Sequence, residues 1–200
     1  MSGNKLFWKY VSTHSDKILV QLKNQLMTRF PYDQFAKDSE QAIERPIDYQ
    51  NQKQYYSGKK KMHTLKNQFI VLPKGEDIVD VYVGKLGKAS DIGLFRETRH
   101  KFNVEQKFIG DKAYIGDNAI TTPYKKPKKS EISQVQKEQN KELSSRIIGV
   151  EHMICCRVKI FRVASEKFRL SRHRYNQVIM AVCGLVRLRL NCSWFLSINN

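Results

Sequence analysis

Two short runs in the first half of the chain are built from strand-forming residues. Residues 62–71 read MHTLKNQFIV and residues 78–83 read IVDVYV, both rich in β-branched and aromatic side chains. Between them Pro73, Lys74, Gly75, Glu76 and Asp77 supply turn chemistry, so the pair predicts a hairpin. Elsewhere the apolar spacing is helical. Ile18, Leu19, Leu22 and Leu26 fall along one helical face behind Ser15, a suitable cap, and residues 1–35 read as a helical lead-in. Residues 91–102 (DIGLFRETRHKF) predict a short helix with Asp91 as its N-cap, and residues 107–110 (KFIG) a brief strand that stops at Asp111. A basic, Pro-punctuated loop and the polar run QVQKEQNKE fill residues 121–142. Val150, Ile154 and Val158 then predict a helix over 143–164, and a second helix is expected over 175–190. This order predicts a mixed α/β domain with a central sheet.

Composition narrows the partner. The 200 residues are 40% hydrophobic, enough to bury a core, which excludes a disordered basic tail. Lys and Arg number 36 against 19 Asp and Glu, giving a net charge of +17. Such a balance favours a polyanion, since each neutralised phosphate releases counterions, with an anionic membrane as the other class. No basic start followed by an apolar run opens the chain, and the stretch Val178 to Val186 is too short to span a bilayer. A cytoplasmic, nucleoid-associated location is therefore expected, with no membrane partner. Cys155, Cys156, Cys183 and Cys192 form no C-x-x-C pair, so neither zinc nor a disulfide framework is suggested.

Three acidic positions stand out. Asp111 follows an apolar strand in GDKAYIG, Glu151 sits in the apolar helical run GVEHMI, and Asp38 or Glu40 lies just before Arg45-Pro46. Carboxylates converging from separate elements in a basic protein suit a two-metal site, where hard Mg²⁺ ions bridge the attacking and leaving oxygens of a phosphodiester. By spacing alone, the ordinary reading of each is a surface partner for one of the cations.

GDKAYIG, YYSGKKKMHTLKNQFIVLP, SDIGLFRE, and LSSRIIGVEHMI followed by KIFRVASEKFRL together resemble the DDE-superfamily endonucleases, in particular insertion-sequence transposases of the Harbinger-like, cyanobacterial group. The resemblance covers about residues 38–190. It implies a ribonuclease H-like five-stranded sheet flanked by helices, with a helical or loop insertion around 121–142 before the last catalytic helix, a catalytic domain over 36–190 and an irregular tail over 191–200. It also implies metal-dependent hydrolysis at element ends followed by strand transfer into target DNA. Asp111 matches the second catalytic aspartate and Glu151 the catalytic glutamate; with Asp38 they would hold two Mg²⁺ (or Mn²⁺) ions. Asp91 matches another recurrent aspartate, read here as a cap or supporting group. The implied partner is DNA, bound by a homo-oligomer.

Departures from the pattern cluster at the first aspartate. Aligned without a gap, Lys37 occupies that position and Asp38 lies one step on, and a one-residue slip in a strand turns a side chain to the other face. Ile147 stands where the family carries an arginine, with Arg146 one place off. Related transposases place a lysine seven residues after the glutamate; here Val158 stands there, and Lys159 lies about 80° further round an α-helix. An upstream helix-turn-helix region is missing and NCSWFLSINN is not a usual ending, which implies an N-terminally truncated or partly degenerate copy. The alternative function is thus a catalytically inactive DNA-binding remnant.

Basic segments complete the candidates. Lys59, Lys60 and Lys61 open a strand; Lys125, Lys126, Lys128 and Lys129 crowd the loop; Arg169, Arg172 and Arg174 lie in a stretch, 157–189, where Glu166 is the only acid. All are expected to contact phosphates without reading sequence. Tyr55, Tyr56 and Tyr114 are candidates to stack on frayed bases, with packing as the other role.

Overall fold

The β-rich run over 62–71 forms the centre of the fold, buried from Thr64 to Val71. The structure, a computed structural model, describes residues 34–75, 77–127 and 131–198, without the side chains of Lys74 and 191–198. The expected lead-in lies outside these residues except for its end. Gln34 and Phe35 there belong to strand β1 (Gln34–Ala42). β1 pairs antiparallel with β3 (Met62–Val71) from Phe35↔Val71 to Ala42↔Thr64. The polar sequence QFAKDSEQA has weak strand propensity, so it is this long pairing that holds it extended. β4 (Ile78–Leu86) pairs with the other edge of β3, forming the expected hairpin. The turn between them uses Gly75 at φ +72°, where an added Cβ would lie 2.7 Å from Met153 Cβ. Short β2 (Tyr56–Ser57) pairs with the start of β3 and follows helix α1 (Tyr49–Tyr55).

On the far side of β1, β5 (Phe108–Gly110) runs parallel to it, and β6 (Ile120–Thr121) runs parallel to β5. The result is a six-stranded mixed sheet rather than a five-stranded one, flanked by helices. This is an α/β arrangement consistent with the ribonuclease H-like fold. Helix α2 (Asp91–Thr98) is capped by Ser90, whose Oγ accepts from Gly93 N–H at 3.2 Å; Asp91 is not the cap.

Helix α3 (Gln134–Met153) begins well before the expected Leu143. Its polar first turns lack an apolar face, but Ser133 and Gln136 form a capping box that starts the helix without one. Past Met153 the backbone widens into a π-turn over Ile154–Val158, and the short helix α4 (Arg162–Ser165) follows. The last helix, α5, runs Tyr175–Ile198, so it takes in residues 191–198 of the expected tail.

One core lies between the sheet and α3 with α5. Phe35, Leu65, Phe69 and Val71 pack there with Ile147, Val150, Met153, Ile179 and Val186. A buried ion pair ties the hairpin turn to α5: Arg187 Nε and Nη2 donate to Asp77 at 3.0 and 2.9 Å. Among the described residues no helix is long and apolar enough to cross a membrane.

Candidate active site

Strand pairing positions the site. β5 accompanies β1 only as far as Ala36↔Gly110, so Lys37 and Asp111 are the next residues on two parallel neighbours. Gly110 lets this strand end pack closely, since an added Cβ would lie 3.0 Å from the Tyr114 ring and 3.1 Å from Ile120. Asp111 then turns the chain, its Oδ1 accepting from Ala113 N–H at 2.9 Å. Helix α3 carries Glu151 on the exposed side of the stripe formed by Ile147, Val150 and Met153.

Between the two acids stands Lys37. Its ammonium donates to Asp111 Oδ2 at 2.8 Å and to Glu151 Oε1 at 2.6 Å. Burial alone would lower the Lys37 pKa, but the two hydrogen bonds and charges outweigh it and raise the pKa above the ordinary lysine range. Lys37 is a permanent cation at any physiological pH, held where two carboxylates converge.

Asp38 faces the other way. Lys37 pairs with Phe69 on the core side, whereas Asp38 pairs with Gln68 on the side of α2. There Glu40 and Asp91 flank the buried Lys66, whose ammonium lies 2.6 Å from Asp91 Oδ1 and 3.6 Å from Glu40 Oε1. Thr64 Oγ1 donates to Glu40 at 3.2 Å. Burial, then the negative charges of Asp91 and Asp111, push the Asp38 carboxyl up to about 6, against the pull of Lys37 and Lys59. Asp91 is thus a buried ion-pair partner, a role its position at a helix start did not reveal.

The residues present do not fit a two-ion centre in this geometry. A divalent ion would need the Asp111 and Glu151 oxygens at about 2.0–2.1 Å for Mg²⁺, and the Lys37 ammonium already takes both. No third carboxylate joins them: among the described residues no group of three or more His, Cys, Asp or Glu is placed to hold a metal. The structure therefore brings Asp111 and Glu151 together but leaves Asp38 on the opposite face.

A cavity of about 180 Å³ opens beside this cluster. Its walls are β1 residues Lys37 to Glu40, the turn lysines Lys59 and Lys60, and Glu151, Ile154, Cys155 and Lys159. Asp38 thus rims the same cavity from the far face of the strand. Lys159 was not expected here. The π-turn, closed by Lys159 N–H donating to Ile154 O at 3.0 Å, inserts one residue into the helix. That insertion delays the following side chains by about 100°, which more than cancels the roughly 80° lead of Lys159 and leaves it about 20° from the Glu151 face.

The remaining basic candidates are dispersed. Lys61 sits exposed at φ 55° in the turn beside Lys59 and Lys60. Lys125 is exposed and Lys126 lies 3.8 Å from Glu131, while Lys128 and Lys129 fall outside the described residues. Arg169 and Arg174 are exposed, and Arg172 stacks over the Tyr55 ring at 5.1 Å. Tyr114 is buried beneath the sheet with its hydroxyl 3.4 Å from Gln68, so it has no face to offer a base. Lys66, the cation that sequence reading passed over, carried a signal: the one Lys, Arg, Asp or Glu inside this strand calls for a buried partner.

Comparison with known proteins is consistent with this layout. Residues 39–187 match the DDE superfamily endonuclease family. The chain is also similar to a protein of Microchaete diplosiphon named as the probable transposase for insertion sequence element IS702. The two are 41% identical over 156 residues, covering 76% of this chain and 55% of that protein. The chain thus spans about half the length of that relative. No solved structure matches the chain.

Proposed function

We propose, from the premise that this chain belongs to the DDE superfamily endonucleases, that it is a transposase-type DNA-binding domain whose strand-cutting site is closed by its own lysine. One observation carries the reading: Lys37 Nζ sits 2.8 and 2.6 Å from the carboxylates of Asp111 and Glu151. The cation that would polarise a phosphodiester is replaced by an ammonium, which has neither the charge nor an open coordination position to activate water. What persists is a basic protein with exposed lysines around the cavity, suited to hold a DNA backbone.

A second reading draws on the placement of Asp111 and Glu151 and on Asp38 at the rim of the same cavity. In it the chain retains hydrolysis at element ends and strand transfer, with Lys37 displaced when DNA and metal bind. Incubating the purified chain with end-bearing plasmid and Mg²⁺ or Mn²⁺ decides between them. DNA binding without nicked or joined products is expected. Metal-dependent products that vanish in Asp111→Ala would establish the second reading and overturn the first.

A further inference from the structure

We propose that Lys37 converts the mouth of this site into a seat for a DNA phosphate that needs no divalent cation, with Lys59, Lys60 and Lys159 as the groups that hold it. The inference rests on the DNA-binding reading above and adds where and how the backbone docks.

Charge makes the first part of the case. Three carboxylates line the cavity, Asp38, Glu40 and Glu151, and they admit a phosphate only where a cation offsets them. In this chain the cation is covalent: the Lys37 ammonium spans Asp111 and Glu151. The pair is then half neutralised in the protein alone, whatever the solution contains.

The second part is the set of cations left over. Lys59, Lys60 and Lys159 all line the cavity, and among the described residues none has a carboxylate within ion-pair distance. They come from two hydrogen-bonded turns. The Ser57–Lys61 turn is closed by Lys61 N–H donating to Ser57 O at 2.8 Å and Lys60 N–H to Ser57 Oγ at 3.3 Å. The π-turn brings Lys159 to the other element, half-buried beside Glu151. Size agrees: about 180 Å³ equals about six water volumes, room for a phosphate group.

Fluorescence anisotropy with a short labelled duplex, in EDTA and in Mg²⁺ at matched ionic strength, tests this. The wild-type Kd should differ by less than about twofold between the two buffers, because no counterion has to be recruited. Lys37→Asp should weaken binding by about tenfold or more in EDTA and regain part of it in Mg²⁺. Lys37→Met, which keeps the side-chain volume, should weaken it in EDTA by a smaller factor and guards against a misfolded aspartate variant. Substituting Lys59, Lys60 and Lys159 together by Gln should flatten the slope of log K against log salt by about 2 to 3. Variants that fold, by circular dichroism, yet bind in EDTA as the wild type does would overturn the role of Lys37. An unchanged salt slope in the triple variant would overturn the lysine seat. If the wild type binds no DNA at all, the DNA-binding reading itself falls.

Discussion

On one face of β1 Lys37 joins Asp111 and Glu151; on the other Lys66 joins Asp91 and Glu40. The contacts are of equal length, 2.6 Å at the shortest in each, but the surroundings differ. Lys66, Glu40 and Asp91 side chains are 9%, 4% and 9% exposed, whereas Asp111 and Glu151 are 30% and 47% exposed. A buried cluster is fixed because no water can replace a lost partner. A cluster at a cavity mouth can be exchanged: water, a metal or a phosphate can take the place of the lysine. Geometry alone does not separate a structural ion pair from a blocked functional one; access does.

The comparison breaks most visibly at Lys37. Lys37→Asp places a carboxylate beside Asp111 and Glu151, and strand nicking in Mn²⁺ should rise about a hundredfold or more above the wild-type background. A plasmid-nicking assay checks it, with Asp111→Ala added to the variant as the control that should return to background. The next largest effect belongs to the other face. Lys66→Met strands buried carboxylates and should cost about 3–5 kcal/mol in urea unfolding, with no gain of nuclease activity. A Lys66 variant as stable as the wild type would mean that this cluster is not the fixed one.

The two faces also mark what was legible in the sequence. Strand-forming composition marked the hairpin, because the two β-rich runs flank the turn residues Pro73 to Asp77. Strand geometry set Lys37 and Asp38 on opposite faces, which period 2 makes unavoidable once residue 37 lies in a strand. The start of α3 was missed because Gln134 to Glu142 pack against little, although Ser133 and Gln136 spelled the capping box. The position of Lys159 was hidden for a different reason. A π-turn leaves no periodic trace in a segment of five residues, so a 3.6-residue wheel puts Lys159 on the wrong face. The Lys66 cluster depends on pairing across β1, β3 and α2, which no single segment encodes.

A smaller effect sharpens the contrast by pH. With Asp38 at about 6 in the fold against about 3.9 unfolded, the native state binds the extra proton between those values. Its favourable contribution is full below about pH 4 and is lost as pH rises through 6. Asp38→Asn should therefore stabilise the protein by about 1–2 kcal/mol at pH 8 in urea titrations, and by nothing measurable near pH 4. A constant difference across that range would mean that neither burial nor the acidic neighbours raise the Asp38 carboxyl.

The smallest effect is the most discriminating. Lys37→Met removes the ammonium but leaves Asp111 and Glu151 partly hydrated, so the cost in stability should be about 1 kcal/mol or less. What changes is the response to metal. Two carboxylates freed at an open mouth can take a divalent ion, and an ion that binds only the native state raises stability by about 2.7 kcal/mol at a hundred times its Kd. Thermal unfolding with increasing Mn²⁺ should shift upward for Lys37→Met and stay level for the wild type, whose ammonium competes for the same oxygens. Lys66→Met should stay level too, because its carboxylates are closed off from solution. Equal shifts in all three proteins would place the metal elsewhere and remove the distinction between the two faces.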